Sequence, residues 1–147
     1  MMVVDGRKVV LALFGLVLSG CAPFQTRPLD SLERLLLQER YADVLAHSSR
    51  ERLVHINLYS SLVAHDIAQV MVHGRAAPPL LCAPILERYP TTIATTMEVC
   101  RQLQKKLAGE LVSDEELLAM DDIARRQFPR ERYLVTVMTR VRAAPLK

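Results

Sequence analysis

One four-residue pattern recurs three times in this chain: a side chain able to accept a backbone N–H, followed three positions later by glutamate. It occurs as Asp30-Ser31-Leu32-Glu33, Ser48-Ser49-Arg50-Glu51 and Ser113-Asp114-Glu115-Glu116. In such a capping box the first side chain satisfies the third helical amide while the glutamate reaches back, so each copy predicts a helix start. The first helix is expected from Asp30 to about Ala46, with Leu32, Leu35, Leu36, Val44 and Leu45 at helical spacing. A second, longer helix follows the Ser48 box, with Leu53, Ile56, Leu62, Val63, Ile67, Val70 and Met71 as core positions and Gly74 as its stop.

Arg75 to Pro79 reads as a connector, and Pro84 allows only a short or broken helix between Leu80 and Tyr89. Thr91 or Thr92 is placed to cap the next helix, whose apolar stripe runs Ile93, Met97, Cys100, Leu103, Leu107 and Leu111. The third box opens a helix through Leu117, Leu118 and Ile123 that ends near Phe128-Pro129. From Tyr133 to Val141 the β-branched content favours a strand. Yet Leu134, Val137, Met138 and Val141 fit i, i+3, i+4, i+7, and no partner strand exists, so the segment reads as a final helix with a strand as alternative. The expected fold is an all-α small bundle of about four to six helices.

Ahead of this domain stand Arg7 and Lys8, the apolar run Val9 to Leu18, and then Ser19-Gly20-Cys21. Ten residues rise only about 15 Å as a helix, half of a roughly 30 Å hydrocarbon layer, which suits a signal segment better than an anchor. Leu18-Ser19-Gly20-Cys21 resembles the lipobox of bacterial lipoproteins, in which a diacylglycerol joins the cysteine sulfur, the preceding bond is cut and the new amine is acylated. That resemblance implies a signal peptide over residues 1–20, a lipidated Cys21 with a spacer to residue 29 carrying Pro23 and Pro28, and a periplasmic helical domain over residues 30–147. Ala22 in place of Asp resembles the outer-membrane-directed kind. Asp5 departs from the usual net-positive start, though Arg7, Lys8 and the terminal amine outweigh it. An ordinary secretory signal or a buried helix ending in Cys is the plainer alternative.

Loss of Asp5, Arg7 and Lys8 lowers the formal charge only from +3 to +2, which does not describe a nucleic-acid binder. With Cys21 lipidated, Cys82 and Cys100 remain as a pair whose default state in an oxidising compartment is a disulfide, contributing about 3 kcal/mol in the chain-entropy model. Buried thiols or a redox-active pair are the alternatives.

No metal site is expected. His47, His55, His65 and His73 do not converge, since His55 and His73 share a helix face but lie about 27 Å apart. His65-Asp66 suggests a triad only on paper, because helical neighbours face apart and no Gly-x-Ser-x-Gly occurs. Glu115-Glu116 and Asp121-Asp122 read as a helix first turn and a solvated face rather than glycosidase carboxylates. No Trp and only seven aromatic residues leave no evident sugar platform. No enzyme activity and no cofactor are expected. From Arg125 onward the chain carries +6, through Arg125, Arg126, Arg130, Arg132, Arg140, Arg142 and Lys147 against Glu131. The six arginines form a candidate basic interaction face for anionic lipid or an acidic partner, or else a solvated face paired to the preceding helix.

A small lipidated helical domain with a cysteine pair is similar in plan to the pilotins of type II and type III secretion systems. That likeness implies an outer-membrane lipoprotein, facing the periplasm, which binds a secretin segment and guides its assembly. A groove lined by Val63, Ile67, Met97 and Leu107 would then receive an apolar helix. A periplasmic immunity or inhibitor protein and a structural lipoprotein of an envelope or conjugation machine are the other readings.

Overall fold

Leu32, Leu35 and Leu36 turn one stripe of the first helix, α1 (Pro28–Leu37), into the core. The computed structural model describes residues 28–48 and 59–147, with side chains from residue 32 onward. Helix α1 begins at Pro28, so Asp30 lies inside it rather than at its cap, as proline's fixed φ and missing N–H suit a first turn. The single helix expected to Ala46 is instead two. Glu39 takes a left-handed φ of 57°, Arg40 N–H donates to Leu35 O at 2.9 Å and Glu39 N–H to Leu36 O at 3.0 Å. This is a Schellman stop. The chain restarts as α2 (Tyr41–His47), which buries Val44.

The Ser48 box lies largely outside the described residues, as do Leu53, Ile56 and His55. Ser48 itself closes α2, its hydroxyl donating to Val44 O at 2.6 Å. Helix α3 (Tyr59–His73) buries residues 61–68 and Val70, which cover its whole circumference and make it the central helix. It packs against α2 and α5. Gly74 ends it at φ 58°, as expected, where a Cβ would collide with the backbone of Lys147.

Pro84 sits in the first turn of the short α4 (Ala83–Arg88), where its missing N–H costs nothing. Helix α5 (Thr95–Leu107) starts later than Thr91 and Thr92 suggest. Its N-cap is Ala94, without a side-chain bond, and Ile93 lies 62% exposed outside it. The cause is a long-range tie: the Arg101 guanidinium donates to Pro90 O at 2.9 Å and Thr92 O at 3.1 Å, holding that stretch as a turn. Leu111 is 91% exposed, because α5 has already stopped at Gly109 with φ 78°.

Helix α6 (Asp114–Gln127) has the expected capping box: Glu116 N–H donates to Ser113 Oγ at 3.2 Å and Ser113 N–H to Glu116 Oε2 at 2.8 Å. Leu117 is buried, whereas Leu118 is 68% exposed. After a 3-10 turn at Pro129–Glu131, the last segment forms α7 (Tyr133–Ala143), burying Leu134, Val137, Met138 and Val141. The helical reading of that segment holds. The all-α bundle has seven α-helices and no strand among the described residues, one helix more than six because of the break at Glu39. Leu36, Ile67, Leu103, Met120, Leu134 and Met138 are its largest fully buried side chains. Leu32–Lys147 form one compact unit.

Candidate functional site

Val63 and Ile67 are fully buried and Met97 nearly so, while Leu107 packs partly buried on the same core. The four do not line a groove together; the structure shows a cleft of about 470 Å³, and of these residues only Met97 lines it. Helix α3 contributes Tyr59 and Ser60 from its first turn, and α4 contributes Ile85 with Tyr89 just past its end. Thr92, Ala94, Thr96 and Met97 form the wall leading into α5, and Phe128 and Glu131 project from the α6–α7 turn. A second hollow of about 450 Å³ adjoins Phe128 and Glu131 along Gln127, Pro129 and Arg130.

The lining is mostly apolar and aromatic. Tyr59, Tyr89 and Phe128 are three of only seven aromatic residues in the chain, and each is at least 37% exposed. Half of the six exposed large apolar side chains among the described residues line this one cleft. The scarcity of aromatics in the sequence concealed it. Among the described residues the one charged group in the lining is Glu131. Burial raises its carboxyl above the usual glutamate range, against a weaker downward pull from the Thr95 hydroxyl. That hydroxyl is buried and makes no hydrogen bond of ordinary geometry, but lies close enough to favour the ionised form. Burial also pushes the Tyr133 phenol strongly upward, with Glu33 and Glu131 adding to it. On the rim, the Arg88 guanidinium lies 5.6 Å from the Tyr89 ring centroid.

One wall of the cleft is tied down from behind. Cys82 and Cys100 are brought together at disulfide distance, with S–S 2.18 Å and Cα–Cα 6.0 Å. Asp66, 1% exposed on α3, accepts the N–H of Leu81 through Oδ1 at 2.8 Å and that of Cys82 through Oδ2 at 2.9 Å. Asp66 is therefore a strut for the turn into α4. Its neighbour His65, also buried, meets the Ser48 hydroxyl through Nδ1 at 2.9 Å. The Ser48 proton is committed to Val44 O, so the imidazole is the donor to that hydroxyl. That is the reverse of what activation of a serine nucleophile requires.

The six C-terminal arginines are largely engaged. Arg125 pairs with Asp121 at 3.2 Å and Asp122 at 3.6 Å, Arg126 with Asp122 at 3.0 Å and Arg132 with Asp121 at 3.2 Å. Arg142 pairs with Asp114, and Arg140 donates to Leu37 O. Arg130 has no ion-pair partner among the described residues. Neutralisation by α6 weakens the field these charges can project together. Glu115, by contrast, simply sits in the first turn of α6. Among the described residues no group of three or more His, Cys, Asp or Glu side chains could hold a metal ion, and no helix is long and apolar enough to cross a membrane. Cys21 lies outside the described residues. The chain matches no family model, no characterised protein and no solved structure.

Proposed function

We propose that this chain is a lipid-anchored protein of the outer membrane, facing the periplasm, which binds a segment of a protein partner and assists its assembly, in the manner of a pilotin. The observation that carries the binding role is the aromatic cleft of about 470 Å³ rimmed by Tyr59, Tyr89 and Phe128. A hollow of that size accepts one or two side chains, and burying one large apolar side chain contributes about 1.5–3 kcal/mol. Alone this gives weak binding. A tether raises the effective concentration of a partner in the same membrane to the millimolar range, where weak recognition suffices. The lipobox ending at Cys21 supplies such a tether, since two or more acyl chains hold firmly where one is marginal.

The test is site-specific cross-linking in Gram-negative cells, with a benzophenone amino acid in place of the exposed Ile93, which lies in sequence between the cleft-lining Thr92 and Ala94. A discrete cross-linked envelope partner that disappears on adding Tyr89→Ala and Phe128→Ala, with helix content unchanged by circular dichroism, is the expected result. Secretins that assemble in the outer membrane as well without the chain as with it would reject the pilotin role. Cross-links that ignore both substitutions would reject the cleft.

A further inference from the structure

Among the described residues Glu131 is the only charged one lining the cleft, and the carboxylate is half-buried beside Phe128. Six other carboxylates, Asp43, Glu98, Asp114, Glu116, Asp121 and Asp122, have ion-pair partners, but Glu131 has none among the described residues. Arg132 beside it in sequence pairs with Asp121, and the Arg88 guanidinium lies over Tyr89. A half-buried carboxylate without a cation, among aromatic rings, is matched by a positive charge on an apolar stem. The carboxylate provides a charge-assisted hydrogen bond, and the electron-rich ring faces attract the cation.

We propose that the cleft receives an arginine or lysine side chain of the partner protein, with its charged head at Glu131 and its aliphatic stem along Met97 and Ile85. The proposal rests on the binding role above and specifies the chemistry of the occupant. Arginine suits the site better than lysine, because its planar guanidinium stacks on rings while donating in a fork. The neighbourhood accounts for the carboxylate's own state: burial raises its pKa against a weaker downward pull from the Thr95 hydroxyl.

The probe is n-butylguanidinium, with n-butylurea as its neutral near-isostere, titrated into the full chain in detergent while the Met97 and Ile85 methyl resonances are followed. The cation is expected to bind about tenfold more tightly than the urea, and Glu131→Gln to abolish that preference while leaving urea binding unchanged. Equal binding of both probes would overturn the cationic occupant and leave the apolar cleft standing. A wild-type chain that binds neither probe would also overturn the proposal. The cross-linking test reads the binding role separately: partner cross-links lost in Tyr89→Ala but indifferent to Glu131→Gln would sink this inference alone.

Discussion

Both carboxylate oxygens of Asp66 are committed to backbone N–H groups, those of Leu81 and Cys82. Asparagine at this position is nearly isosteric but presents an NH2 where one acceptor stood, setting donor against donor. Asp66→Asn is expected to cost about 2 kcal/mol in urea unfolding, a typical penalty for a buried group left unsatisfied. A loss below a few tenths would mean the strut is dispensable. Glu131 works the other way. Its folded-state pKa is raised above 4.5, so its favourable contribution is complete only below that value and is lost as pH rises through the folded pKa. Glu131→Gln should therefore raise Tm at neutral pH, and the difference from the parent should close below about pH 4. A variant less stable than the parent at pH 7 would show that the carboxylate is favourably paired after all. Neither residue was legible beforehand: Asp66 is satisfied by backbone groups 15 and 16 positions away, and Glu131 looked like a lone acid in a basic stretch.

At the scale of elements, the same helix stop is built twice with different residues. Helix α5 ends with Gly109 at φ 78° and Glu110 N–H donating to Lys105 O at 2.8 Å. Helix α1 ends with Glu39 at φ 57° and the equivalent bond from Arg40 to Leu35. A residue with a Cβ pays about 1 kcal/mol for that backbone region, whereas glycine does not. Glu39→Gly is thus expected to stabilise the domain by about 0.5–1 kcal/mol, and Gly109→Ala, which meets nothing within 4 Å, to destabilise it comparably. Thermal or urea unfolding of the two variants checks the pair, and the same sign for both would refute the shared geometry. The contrast also explains what sequence could reveal. Where a local signal sets the boundary, as Gly74 or the Ser113 box does, reading and structure agree. Where the stop is a glutamate, or the start of α5 is delayed by Arg101 gripping carbonyls nine and eleven residues back, nothing local marks it. The cleft was hidden for a related reason, because its walls come from three separated stretches around residues 59–60, 85–97 and 128–131.

For the whole molecule, two cysteine features in the proposed function divide the work between shaping the cleft and placing it. Six of the ten cleft-lining residues fall within the stretch between Cys82 and Cys100, so that pair, with Asp66, ties down one wall. In the proposed function Cys21 would bear on location alone. If the cleft recognises its partner weakly, as its size implies, affinity measured in solution and occupancy in the cell should respond differently to loss of the lipid. Cys21→Ser is expected to abolish incorporation of labelled fatty acid and to release the chain from sedimented membranes. Cross-linking through position 93 should fall about a hundredfold as the millimolar effective concentration is lost. Binding of n-butylguanidinium to the purified chain should not change, because nothing in the cleft has been altered. A Cys21→Ser protein that still carries fatty acid and sediments with membranes would overturn the anchor. One that is released yet cross-links as strongly as the parent would show the cleft to be a tight site needing no tether.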